Sequence, residues 1–383
     1  MRIALVHSFY ASAQPSGENA VVRDQFAALQ AAGHDVRLIS RDTDDVQSQR
    51  LFAVRSALTT ATGRGPNAEI ELATFAPDLV HVHNTFPNWG TRWLRGWAPR
   101  TVVTVHNFRP LCAAATLFRD GAPCDDCLRT PVLPAVRHAC YRGSRAATVP
   151  VALASRPRGP LRSLLTEAAA VVVLNEPARE IYANQLRRDV RVVPNFVDDV
   201  PNPDPGRAPT GWVYVGRFTP EKGVADLVRH WPPNEALDVI GAGPSESEVR
   251  SAAGASDSVR VHEPLDRAEL RARLGGYEGL VLPSRWAEGL PTVVLEAMAA
   301  GTPSVVSTDV AAAAALRDFG VSEPYDASAG NVDLGRALAA VRAGGPALRA
   351  RTRSVHAAQF SRASWLAAMT TVYDDVVGGS AQG

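Results

Sequence analysis

The sequence predicts an α/β protein made of two doubly wound, parallel-sheet domains, and three observations carry that expectation. The chain opens strand, loop, helix, strand. Ile3 to Val6 is a short apolar run, Val21, Val22, Phe26 and Leu29 recur at helical spacing, Gly33 closes the helix, and Val36 to Ile39 is apolar again. The stretch around Leu282 to Ser307 repeats this logic. Leu280, Val281 and Leu282 end a buried strand that Pro283 stops, Pro291 sits where a first helical turn begins, Thr292 to Ala300 suit a helix packed on a sheet, Gly301 is the expected left-handed cap, and Ser304 to Ser307 is the next strand. Between these halves the composition changes: DDVPNPDPGRAPTG is rich in proline and glycine and lacks apolar periodicity, which marks a linker with the boundary near Val200 to Pro209. A chain of 383 residues is long enough for each half to bury its own core.

Forty basic and 39 acidic residues give no global pull towards nucleic acid. The N-terminal MRIALVHSFY enters a strand directly instead of forming a leader, and no apolar run approaches the roughly twenty residues that cross a bilayer. A cytoplasmic protein is expected.

Further strands run through Leu79 and Val80 into His81-Val82-His83-Asn84, and through Val102 to Val105 into His106-Asn107. A histidine at the carboxyl end of a strand is either a capped core residue or a ligand contact, and both readings stay open. Val171 to Leu174, the helical stretch Ala178 to Gln185 and Val190 to Val193 complete the first half. In the second, Trp212 to Val215 leads into Gly216-Arg217, then Glu221-Lys222-Gly223 and a helix. Cations fixed at the carboxyl end of a strand suit a diphosphate, arginine as a bidentate fork and lysine as a point charge; singly, each reads as a surface residue. Val239 to Gly243 invites a dinucleotide reading, but the third glycine is missing. Val259 to His262 is a strand, Ala311 to Arg317 is helical, Trp365 to Val377 carries apolar residues at helical spacing, and the tail GGSAQG is expected to be disordered.

The helix starting at Thr292 presents its unpaired N–H groups at the carboxyl end of a strand, where anions gather in open α/β sheets. Glu288 in the preceding loop and Glu296 one turn inside the helix flank that point. Glu296 interrupts an otherwise apolar run, so it is expected to be buried; a buried carboxylate needs partners, and sugar hydroxyls are good ones. An exposed helix position for Glu296 and a dipole partner for Glu288 are the plainer alternatives.

EGLPTVVLE resembles the paired-glutamate motif of retaining glycosyltransferases of the two-domain GT-B type, specifically family four. GRFTPEKG resembles the family's phosphate-binding segment and TVHN a strand end whose histidine contacts the donor sugar. PSGENAVV resembles the first Gly-rich loop, with Ser16-Gly17 in place of the glycine pair. The resemblance implies two Rossmann-like domains with an interdomain cleft: an acceptor domain over 1–200, a nucleotide-sugar domain over 201–364, and a C-terminal helix crossing back within 365–383. It implies that Gly17 lies over the donor diphosphate, that Arg217 and Lys222 stabilise it as it leaves, that Glu296 holds the ribose, and that Glu288 and His106 contact the transferred sugar. The backbone of Gly289, Leu290, Pro291 and Thr292 is then near the donor. No cofactor is required for such catalysis. The implied activity is transfer, with retention, from a nucleotide diphosphate sugar to a hydroxyl of a glycan or lipid-linked acceptor in surface polysaccharide or glycoconjugate assembly, with Asn84 to Pro87 bordering the acceptor entrance. Two alternatives stand beside it. A nucleotide-sugar epimerase on the same architecture needs further acidic residues that the sequence does not place, and a silent sugar-nucleotide-binding partner is opposed by the intact charged set.

All four cysteines, Cys112, Cys124, Cys127 and Cys140, fall in one stretch, and Cys124-Asp-Asp-Cys127 has the spacing of half a zinc knuckle. A structural zinc is expected, with His138 as a substitute ligand; reduced, separately buried thiols are the alternative. The segment 108–145 resembles an insertion in a subset of the family. From Arg137 to Arg162 six arginines occur without an acidic residue, which fits peripheral contact with an anionic membrane, a diphosphate-bearing acceptor, or a solvated face.

Overall fold

The computed structural model describes residues 1–12, 17–200, 208–286 and 288–380. The chain forms two compact units. The first comprises Met1–Arg119, Cys124–Pro194 and Leu366–Gly383, and the second Asp120–Pro123 and Asn195–Trp365. Most of the segment expected to link them, 201–207, lies outside the described residues.

The first unit holds a six-stranded parallel sheet of β1 (Arg2–Phe9), β2 (Asp35–Asp42), β3 (Leu79–Asn84), β4 (Thr101–Thr104), β5 (Ala170–Val173) and β6 (Arg191–Val192), in the order β2-β1-β3-β4-β5-β6. All of β4 and β5 and the first five residues of β3 are buried, as expected of strands covered on both faces. Helix Gly17–Ala31 buries Val21, Val22 and Leu29 of the expected stripe together with Gln25 and Ala28, while Phe26 is only half-buried.

The second unit holds β7 (Trp212–Val215), β8 (Leu237–Ile240), β9 (Val259–His262), β10 (Gly279–Leu282), β11 (Ser304–Ser307) and β12 (Ser322–Tyr325), all parallel, in the order β9-β8-β7-β10-β11-β12. The order reverses between β7 and β10. Crevices at such a reversal, outside the carboxyl ends of the strands, are where ligands bind in this class of sheet.

Helix Thr292–Ala299 forms where expected, but Pro291 is its N-cap, with extended backbone, instead of its first helical residue. Gly301 takes φ 72° just beyond its end. The last helix, Arg362–Ser380, begins in the second unit and continues in the first. Gly378 to Ser380, expected to be disordered, prolong it, while residues 381–383 lie outside the described residues.

The glycines of VIGAG answer the dinucleotide question. A Cβ on Gly241 would lie 2.0 Å from the Gly216 carbonyl oxygen, and one on Gly243 would lie 2.5 Å from that of Phe218. They are glycines because the turn after β8 packs directly on the backbone that carries Arg217. Gly241→Ala therefore forces that loop to move and is expected to cost about 1–3 kcal/mol; urea unfolding of the variant with an unchanged midpoint would contradict this packing role.

Candidate active site

In the second unit the loops after β7 and β10 face each other across the reversal of strand order. Lys222 Nζ donates to Glu288 Oε1, and Ser284 Oγ donates to Glu288 Oε2 at 2.7 Å. The lysine and glutamate side chains are only 13% and 12% exposed, so each loses most of its hydration and depends on the other. The backbone locks them in place. Arg285 N–H donates to the Glu221 carbonyl at 2.9 Å. Gly223, at φ 68°, brings the chain so close to Pro283 that a Cβ would lie 2.4 Å from its carbonyl oxygen. The Trp286 ring centroid is 6.0 Å from Lys222 Nζ.

Arg217 occupies the same post-β7 loop as Lys222. Its side chain is exposed and has no ion pair among the described residues, while its carbonyl accepts the Tyr214 hydroxyl at 2.9 Å. Gly289, Leu290 and Pro291 lead from Glu288 to Thr292, the first residue of the helix, and Pro291 offers no side-chain cap. Its first amides thus remain directed at this crevice.

Glu296 is buried, as expected, yet its partners are protein groups. Arg267 Nε donates to Oε1 at 2.7 Å and Arg271 Nε at 3.3 Å. The expectation that burial implies hydroxyl partners needs that correction. Helix Arg267–Leu274 presents both arginines from one face, being four residues apart. The i,i+4 arginine pair was the available signal, though nothing local ties it to Glu296.

In the first unit a different kind of site forms at the carboxyl ends of β1, β3 and β4. His83 Nδ1 and His106 Nε2 are 3.0 Å apart, with the rings stacked at 5.3 Å. His81 is fully buried, between the Tyr373 hydroxyl and Thr104 Oγ1, each at 2.8 Å. It therefore serves the core, whereas His83 and His106 line a cavity of about 40 Å³ together with Glu18, Asn84, Asn107 and Arg109. That is room for roughly one water or hydroxyl. Glu18 Oε1, His83 Nε2, His106 Nδ1 and Arg109 Nε are buried there without a partner among the described residues. Asn107 Nδ2 donates to Glu18 Oε2 at 3.3 Å, and Arg109 lies 4.6 Å from the Phe86 ring. Gly17, expected at a diphosphate, is exposed as the first residue of its helix, and residues 13–16 lie outside the described residues.

Burial sets the charge of this cluster. It lowers His7 to about 4 and His81 and His106 to about 3, and holds His83 well below the ordinary imidazole range. Burial also raises Glu18 to about 8 against the opposing pull of Arg109 and of the Asn107 and Asn84 amides. At neutral pH the histidines are uncharged and Glu18 is mostly protonated. His7, 3.1 Å from Asn19 Oδ1 and with its ring centroid 6.4 Å from that of His83, was missed in the sequence.

Cys112 is buried, and Cys124, Cys127 and Cys140, the other expected zinc ligands, are half-buried. Cys127 is close enough to the other three for them to raise its thiol pKa, burial being the larger cause, to about 12. Even so, among the described residues no three histidine, cysteine, aspartate or glutamate side chains are grouped to hold a metal ion. Cys112 packs in the main core of the first unit, and Cys127 and Cys140 lie against a smaller cluster with Phe86, Ala113 and Ala135. The basic stretch also needs correction. Arg162 is buried and donates to the Gln185 carbonyl and side chain, leaving Arg137, Arg142, Arg145, Arg156 and Arg158 exposed. Among the described residues no helix is long and apolar enough to cross a membrane.

Residues 15–200 match the profile described as "Glycosyltransferase Family 4", and residues 209–329 the one described as "Glycosyl transferases group 1". The chain is a family 4 glycosyltransferase. This glycosyltransferase is similar to a glycogen synthase of Mycobacterium tuberculosis, at 27% identity over 341 residues, covering 80% of this chain and 78% of the relative. Its fold is the GT-B fold of sucrose-phosphate synthase from Thermosynechococcus elongatus, with TM-score 0.66, 18% identity and coverage of 98% of this chain and 99% of the other. It is also similar in fold to the Anabaena protein HepE, solved in complex with UDP, with TM-score 0.61, 13% identity and coverage of 98% and 100%.

The lowered histidines and raised Glu18 act on stability in opposite directions. The unfolded chain takes up protons on histidine below about pH 6.5 that the folded glycosyltransferase refuses, so stability falls as pH drops from there towards 3–4. Glu18 keeps its proton up to about 8, while an unfolded glutamate loses it near 4.5, so its contribution falls as pH rises through that window. Urea unfolding should show a lower midpoint at pH 5 than at pH 7, by on the order of 1.4 kcal/mol per pH unit for each titrating histidine, with a smaller drop in His106→Gln. A midpoint that rises on acidification contradicts the neutral cluster.

Proposed function

We propose that this glycosyltransferase moves a sugar, with retention of configuration, from a nucleotide diphosphate sugar to a hydroxyl of a glycan or lipid-linked acceptor in surface polysaccharide or glycoconjugate assembly. The Lys222–Glu288 pair beside exposed Arg217 is the observation that carries the donor reading. At rest Glu288 neutralises Lys222. A diphosphate entering the crevice offers Lys222 a more highly charged partner, adds the Arg217 fork and the amides at Thr292, and so frees Glu288 to accept a hydrogen bond from a sugar hydroxyl. As the bond to the leaving diphosphate breaks, Lys222 and Arg217 stabilise the charge that accumulates on it, with no need for a metal. On this reading Glu296, paired with Arg267 and Arg271, accepts a hydrogen bond from the ribose.

The first unit suits the uncharged partner. Its neutral imidazoles and protonated Glu18, beside the Arg109 cation, provide donors and acceptors for a hydroxyl. Family membership supports the transfer reaction, the family resemblance supports retention, and the UDP complex of HepE makes UDP-sugars the first donors to try.

The test is kinetic. Lys222→Ala is expected to lower kcat by about 100-fold or more, in the range of a lost transition-state contact, and Glu296→Ala to weaken UDP binding about tenfold, as for one charge-assisted hydrogen bond. NMR of the product should show the donor's anomeric configuration. Full turnover in Lys222→Ala, or UDP affinity unchanged in Glu296→Ala by calorimetry, would remove those assignments.

A further inference from the structure

The first unit has a second concavity, at the opposite end of its sheet. It measures about 250 Å³ and is lined by Arg92 and Arg95 from the 3-10 helix Arg92–Arg100, by Arg156 and Arg158 from the loop before helix Pro160–Glu167, and by Thr91, Thr101 and Ser163. Thr101 opens β4, whereas His106 follows its far end. Of the residues lining this pocket, only Leu164 also lines the cavity of the histidine cluster.

Its charge is unbalanced. Four guanidinium groups meet a single carboxylate, Glu167, which pairs with Arg95 at 3.5 Å. Arg92 Nε donates to the Thr62 carbonyl at 3.1 Å, a neutral acceptor. The side chains of Arg156 and Arg158, and the hydroxyls of Thr91 and Ser163, have no hydrogen-bond or ion-pair partner among the described residues. All four arginines are exposed, as on a solvated basic face. Here two separate segments deliver them to one hollow, with hydroxyl donors between them and Leu94, Ala98 and Leu164 as an apolar floor. The volume corresponds to about eight water molecules.

We propose that this pocket is a second anion site, taking a phosphate-bearing molecule of the size of an inorganic diphosphate or a sugar phosphate. The guanidinium forks match phosphate oxygens, the hydroxyls complete the polar set, and the apolar floor accommodates a short carbon skeleton. The site is independent of the proposed donor chemistry, since none of its residues belongs to the second unit. Free metabolites and phospholipid headgroups both carry this group.

Calorimetric titration of the full chain with inorganic diphosphate distinguishes the two anion sites. Two binding events are expected: Arg217→Ala/Lys222→Ala removes one, and Arg156→Ala/Arg158→Ala weakens the other by roughly tenfold or more. Arg137→Ala/Arg142→Ala, which removes the same charge outside the pocket, should change neither. Diphosphate binding indifferent to Arg156 and Arg158, or weakened equally by the Arg137/Arg142 change, overturns the proposal. Pelleting with phosphatidylglycerol and phosphatidylcholine vesicles identifies the source. Loss of phosphatidylglycerol binding in the Arg156/Arg158 variant assigns a lipid phosphate, while vesicle binding that ignores those residues alongside an affected diphosphate titration assigns a soluble one.

Discussion

The ion pair between Lys222 and Glu288 is the constraint on which the second unit's site depends. Two charges drawn out of water are costly unless each is fully engaged, and breaking such a pair strands the survivor. Ser284 takes the remaining Glu288 oxygen, and the close backbone approach at Gly223 and the Arg285 amide fix the two loops so that the pair can form. The crevice is thereby charge-balanced before any ligand arrives. An anion must compete for Lys222, and whatever displaces Glu288 hands a free carboxylate to its own neighbouring hydroxyls.

The two units keep polar side chains buried by opposite means. The second pairs charges: Lys222 with Glu288, and Arg267 and Arg271 with Glu296. In the first, burial disfavours the protonated forms of His7, His81, His83 and His106 and the ionised form of Glu18, and the buried cation Arg162 rests on neutral Gln185 acceptors. Paired charges can be re-paired with a diphosphate. Neutral donors and acceptors suit a hydroxyl, which would lose more by facing a bare ion it cannot neutralise. The proposed division of labour between donor and acceptor follows from this contrast.

Sheet polarity sorts the functional groups as well. His83 and His106 lie at the carboxyl ends of β3 and β4, and Arg217, Lys222 and Glu288 in the loops after β7 and β10, while the arginine hollow opens where β4 begins. A parallel sheet with short crossovers presents two chemically distinct edges, and only one has the strand-order reversal that opens a crevice.

What the sequence by itself determined is what short-range physics determines. The strands around Ile3, Leu280 and Ser304, the helix from Thr292, the left-handed Gly301 and the burial of Glu296 are written in apolar periodicity and in proline and glycine placement, and the cations after β7 and the glutamates after β10 were legible from their motifs. Only the tertiary structure decided who answers whom. Lys222 and Glu288 are 66 positions apart, Glu296 and Arg267 29, and His81 and Tyr373 292, and no local pattern encodes pairings made when separate strand ends converge. For the same reason the glycines of VIGAG, which lack the third glycine of a dinucleotide turn, are explained only by the Gly216 and Phe218 backbone packed against them. Charge state was hidden too, because burial, which sets it for Glu18 and the histidines, is a property of the assembled neighbours and not of the residue.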